Sequence, residues 1–160
     1  METKILRAAA QAAASCNAVI ASHTIRGRVV KDQLDILEAR GYPADRFIWV
    51  HAQIEPDFQL NLTLARRGAW IEYDNIGGGD PGDKVYINRI LSMLEAGFAD
   101  QMLLSQDRGW YDPAQPGGGS PIPYTYLIDT FLPRLRAAGV SDITIHKLLC
   151  ENPYKAFARD

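Results

Sequence analysis

The sequence predicts an α/β fold, a parallel sheet of about four strands with a helix after each, and two observations predict it. Gly41, Gly68, Gly97 and Gly139 each close a segment of helical patterning, at 31–40, 57–67, 84–96 and 125–138. A residue in the left-handed conformation commonly ends a helix, and glycine adopts it at least cost. After the first three stops come runs that are apolar at nearly every position, at 47–50, 69–73 and 102–104, and a similar run at 18–21 precedes the first. Such runs fit parallel strands covered on both faces, and strands alternating with helices fit a parallel sheet.

In chain order, the Ala-rich start forms the first helix, with Ile5, Ala8, Ala9 and Ala12 at helical spacing. Arg7, Gln11 and Asn17 interrupt its apolar character, which argues against a secretory signal. Four strand–helix units of roughly 30 residues follow, the usual size of a βαβ element. A last helix is expected at 141–150. No Pro/Ser-rich linker divides the chain, so 1–160 reads as a single domain. Two loops are rich in glycine, at 77–79 and 117–119. Neither has the phosphate-cradling arrangement of a strand-to-helix turn, and mobile loops over a pocket are expected there.

The bulk numbers exclude some partners. A net charge of −2, with 17 basic residues dispersed among acids, gives no stripe for nucleic acid or an anionic membrane surface. No apolar run approaches the roughly 18–20 residues of a spanning helix, which suggests a cytoplasmic protein. Cys16 and Cys150 match no metal or redox spacing and are expected as small buried hydrophobes in a reducing compartment.

Polar residues recur where the strands finish: Ser22–His23–Thr24, His51–Ala52–Gln53, Asp74–Asn75 and Ser105–Gln106–Asp107. In a parallel α/β fold the carboxyl ends of all strands lie on one side, where ligands bind. Two imidazoles and two carboxylates at one mouth suit zinc or a similar divalent ion, which would lower the pKa of water beside a carboxylate base. A lone histidine at a strand end is more often a hydrogen-bonded structural residue; two at successive ends, followed by two aspartates, strengthen the metal reading. His146 belongs to the last helix and is expected at the surface.

The runs Ile20-Ala-Ser-His-Thr24, Phe47-Ile-Trp-Val-His51, Ile71-Glu-Tyr-Asp74 and Leu104-Ser-Gln-Asp107 resemble the last four strands of the phosphotriesterase family, within the amidohydrolase superfamily. Phe131-Leu-Pro-Arg-Leu135, Gly139-Val140 and Asn152-Pro153 with Phe157 are similar to the family's closing helices. The resemblance implies a half-barrel, the fifth to eighth strands of a TIM barrel, acting as a metal-dependent hydrolase of phosphotriesters, lactones or related esters. It implies His23 and His51 as ligands of one of two metal ions, Zn2+ (or Mn2+ or Co2+), and Asp107 as a ligand of the other and the catalytic group. Asp74, Asn75 and Trp110 are expected around the substrate pocket.

The His-x-His strand and the carboxylated bridging lysine of the family have no counterpart here; the match begins with the helix after the lysine-bearing strand. Lys4 and Lys31 are helical by pattern and do not replace that lysine. Asn75 stands where a histidine or arginine is common, and Ile54 where some members carry a carboxylate. Weak activity of the chain alone is therefore expected, with a homo-oligomer or a complementary half-barrel closing the ring. The alternative is a non-catalytic assembly module with a vestigial metal site.

Overall fold

A computed structural model describes residues 2–79, 81–120 and 123–158; Met1, at the start of the expected first helix, lies outside them. Helix α1 (Glu2–Cys16) leads into β1 (Ile20–His23), α2 (Gly27–Glu38), β2 (Phe47–Val50), α3 (Phe58–Arg66), β3 (Trp70–Tyr73), α4 (Asp83–Glu95) and β4 (Met102–Leu104). The strands lie side by side in chain order and every neighbouring pair is parallel. The predicted α/β alternation is the observed one, and all four carboxyl ends open on one side.

One local device ends five helices. Asn17, Gly41, Gly68, Gly97 and Gly139 all take positive φ. The next residue's N–H then donates back to a carbonyl in the last turn: Ala18 to Ala13, Tyr42 to Leu37, Ala69 to Leu64, Phe98 to Met93 and Val140 to Leu135, at 2.9–3.2 Å. Each bond joins two apolar residues, so the cap also pins the entering chain to the core. The first of these caps displaces β1: Ala18 is spent on it, and the strand begins at Ile20 rather than 18.

The last helix differs from expectation by running past Cys150. α5 (Leu132–Ala137) is entered through a π-helical turn, Leu127–Phe131, and α6 (Asp142–His146) passes through a second, Lys147–Glu151, into α7 (Asn152–Phe157). Each wide turn immediately precedes a proline-bearing segment. Leu132 N–H reaches back five residues to Leu127 and Asn152 N–H to Lys147. That opening relieves the clash and missing donor that Pro133 and Pro153 would impose on a regular helix.

Two further expectations are corrected. α1 buries Ala10 and Ala13, with Leu6 packed against the core, so its inner stripe is turned one residue from the expected one and Ile5 is exposed. Cys16 and Cys150 are free thiols at the surface, because both fall on the outer faces of their helical turns.

The register puts Phe47, Trp49, Ile71, Tyr73, Met102 and Leu104 on the helix-covered face, where all are buried in the main core. The opposite face carries Ala21, His23, Ile48, Val50, Trp70, Glu72 and Leu103. There Ile48, Trp70 and Leu103 form a smaller core closed by Ala156 of α7. β1 and β4 are the two edges, each paired on one side only among the described residues. No helix among them is long and apolar enough to cross a membrane.

Candidate metal centre

Three strand ends turn through left-handed backbone at non-glycine residues: His51 at φ 67°, Asn75 at 57° and Asp107 at 46°. Asn, Asp and His tolerate this conformation better than other side chains, and such strain concentrates at functional sites. The sequence thus places chemistry-bearing side chains where the chain reverses.

The best-ordered part of the site is a buried carboxylate. Asp74, 2% exposed, accepts from His51 N–H through Oδ2 at 2.7 Å and from Gln53 Nε2 through Oδ1 at 2.6 Å. Gln53 Oε1 in turn accepts from Asp74 N–H at 3.2 Å. His51 Nδ1 lies 2.6 Å from Asp74 Oδ1. A carboxylate only accepts, so Nδ1 carries the proton and Nε2 keeps its lone pair free. A carboxylate fixing a histidine in this way is the usual support of a metal-ligating imidazole. The His23 ring meets His51 edge-on, with centroids 4.3 Å apart and planes at 89°.

The donor atoms of His51, Asp74 and Asp107 lie within 4.8 Å of one another. His51 and Asp107 therefore sit together as expected, while His23 stands beside His51 outside that three-residue cluster. The Asp107 carboxylate makes no hydrogen bond among the described residues; its carbonyl accepts from Trp110 Nε1 at 3.2 Å. Asp74 is buried, with its oxygens committed to His51 and Gln53. Asn75 accepts from Arg108 Nη1 at 3.0 Å, and Trp110 is 71% exposed on the loop after β4. Ile54, in the turn Ala52–Ile54, is exposed and offers no proton.

Glu72, Gln53 and Arg108 are polar neighbours to which the sequence reading gave no role. Glu72 faces the inner side of the sheet and accepts from Ser105 Oγ at 3.0 Å. Burial first, then the nearby Asp74 charge, raises its pKa above the ordinary value. Its signal was present: it is the one charged residue in the apolar run 69–73. One glycine in each glycine-rich loop makes close aromatic contact. A Cβ on Gly77 would fall 2.4 Å from the Tyr126 ring, and one on Gly118 2.2 Å from the Tyr111 ring.

The gathered donors, His51, Asp74 and Asp107, offer nitrogen and oxygen within the reach of one divalent ion, and neither His51 Nε2 nor the Asp107 carboxylate has a competing hydrogen bond among the described residues. Among the described residues no second group of ligands is gathered: Lys31 pairs with Asp35 at 3.0 Å on the outside of α2, and Lys4 is exposed on α1.

Parallel (β/α) units with imidazoles and carboxylates at the strand carboxyl ends define a segment of TIM-barrel type. The chain belongs to the phosphotriesterase family, whose model matches residues 1–157. It is 29% identical over 159 residues to a phosphotriesterase homology protein of Escherichia coli (strain K12), covering 98% of this chain and 53% of that one. The crystal structure of an Escherichia coli phosphotriesterase homology protein, complexed with phosphate in its active site, superposes with a TM-score of 0.84 at 28% identity, covering 98% of this chain and 53% of that one. The human N-acetyltaurine hydrolase is 26% identical over 165 residues, covering 95% of this chain and 47% of that protein. The chain thus spans about half the length of the curated relatives it matches, and its family includes hydrolases.

Proposed function

We propose that the chain carries half of a metal-dependent hydrolase site that cleaves phosphotriesters, lactones or related esters. The observation that carries this reading is the convergence of His51, Asp74 and Asp107 at three adjacent strand ends. His23, His51 and Asp107 would hold the ion, zinc first and manganese or cobalt as substitutes, and the ion when bound supplies Lewis-acid activation of water. Asp74 keeps the His51 ring oriented and in the Nδ1–H tautomer. Asp107, whose carboxylate makes no hydrogen bond among the described residues, takes the proton of the attacking water. Asn75 and Trp110 border the substrate, and Asp74 acts from below. The free surface thiols fit a reducing compartment, the cytoplasm.

Calorimetry and elemental analysis after zinc reloading test the ligands: His51→Ala and His23→Ala should each bind zinc more weakly than wild type. Wild-type affinity in both variants overturns the assignment. Turnover of an aryl ester and a phosphotriester should be feeble in the chain alone and should fall further in Asp107→Asn.

Four further strands would complete the ring, and we propose that a second copy or a complementary half-barrel supplies them. The singly paired edges of β1 and β4, with Ala21 and His23 exposed on the inner face, support this. Unpaired strand edges recruit other strands. Light scattering across a dilution series should find an assembled species; single-chain mass at every concentration excludes self-association.

A further inference from the structure

We propose that Arg108 binds an oxyanion of the substrate, a carboxylate or phosphate set apart from the bond that is cleaved; this rests on the hydrolase reading and names its substrate class. Arg108 directly follows Asp107, so its backbone is fixed to the metal centre. The residues on either side of it, Asp107 and Gly109, take φ of 46° and 84°. Its carbonyl accepts from the Tyr124 hydroxyl, and that hydroxyl occupies the space a Cβ on Gly109 would need, 2.1 Å away. The side chain is held from the other side, where Nη1 donates to Asn75 Oδ1 at 3.0 Å on the loop after β3.

What remains is the side-on edge of the guanidinium. Nε is buried and has no acceptor among the described residues, where the bond from Nη1 to Asn75 is the one side-chain hydrogen bond of Arg108. Nε–H and Nη2–H are the parallel pair with which arginine grips two oxygens of a carboxylate or phosphate. Other arginines of the fold are spent on structure: Arg67 on Asp35 and Glu38, Arg134 on Asp83, Arg136 on Asp142. Arg108 has no such carboxylate among the described residues. A half-buried guanidinium that follows Asp107 in the chain, anchored at one corner and with no acceptor for Nε among the described residues, is suited to an anion.

The test uses the metal-free chain, titrated separately with inorganic phosphate and with acetate. The Arg108 Nε–H resonance is followed by NMR and affinity by calorimetry. The resonance should shift on binding, and Arg108→Gln should weaken binding roughly tenfold or more, the size of a lost charge-assisted hydrogen bond. Arg108→Lys should keep the charge and lose the two-point grip, falling between the two. Tighter phosphate marks a phosphate-bearing substrate, and tighter acetate a carboxylate-bearing one. An Nε–H unmoved by both anions in the wild-type chain overturns the proposal, as does wild-type affinity in Arg108→Gln. Because zinc is absent, the hydrolase reading is judged separately: a chain that binds zinc through His51 but leaves Arg108 unmoved loses only the anion site.

Discussion

The inner face of the sheet has two unlike ends. Toward the amino ends, Ile48, Trp70 and Leu103 are buried under Ala156, and α7 is latched there by Asn152 Nδ2, which donates to the carbonyls of Ala99 and Met102 at 2.7 and 2.8 Å. Toward the carboxyl ends, His23 is exposed, Asp107 is half-buried, and the side chains are polar. The difference lies in what each end asks of the chain. A floor needs only apolar area, which a helix later in the same chain supplies; a mouth must leave donor atoms uncommitted. Asp74 shows how the two demands meet, since it is itself saturated so that His51 Nε2 can remain free.

The largest way to break that comparison is at the floor. Trp70 is 7% exposed and donates from Nε1 to the Asp45 carbonyl at 2.9 Å. Trp70→Ala should cost about 3–5 kcal/mol of stability, the range for emptying a buried aromatic site. Urea unfolding measures it, and a loss under ~1 kcal/mol would mean that the floor is not sealed by packing. An intermediate effect is expected at the mouth. Asp74→Asn keeps the shape but weakens the support of His51, at about 1–3 kcal/mol for a buried group left mispaired. Zinc affinity should drop roughly 10–100-fold, as when an outer-shell partner is lost. Equal zinc affinity in the variant would make Asp74 a purely structural residue.

The helix-covered side of the sheet was the more legible in the sequence. β2 and β4 lie at the predicted bounds, because an unbroken apolar run such as Phe47–Val50 has only one buried reading, and the glycine stops act as predicted. Asn17 escaped notice since asparagine ends helices less often than glycine, and the first strand was placed too early in consequence. The extension of the last helix was hidden because Pro153 normally ends a helix; only a π-helical turn, which has no sequence pattern of its own, carries it through. At the site, the strand-end positions of His51, Asp74 and Asp107 were legible, but the hydrogen bonds that tie Asp74 to His51 and Gln53 were not. Whether an aspartate faces a pocket or supports a histidine depends on left-handed turns at single residues, which composition does not encode. Arg108 and Glu72 matter through partners 33 residues away, Asn75 and Ser105 respectively.

The smallest expected effect sharpens the border between floor and mouth, where Glu72 sits. Desolvation raises its pKa from the ordinary 4.5, and the charges of Asp74 and Asp107 add to this; the Ser105 hydroxyl and His51 oppose it. A raised carboxyl pKa means that the folded chain holds its proton at pH values where the unfolded chain has released it. The folded state then binds more protons, and stability falls as pH rises. For the metal-free chain, the Glu72 contribution is fully present below about pH 4.5 and is lost as pH climbs through the raised folded value. Glu72→Gln cannot ionise and should flatten this slope, so that the variant gains on wild type toward neutral pH. Thermal unfolding followed from pH 4 to 8 in chelator reads the difference between the two curves. If they stay parallel, Glu72 ionises as readily in the fold as outside it, and water from the open mouth reaches further down the inner face than its burial indicates.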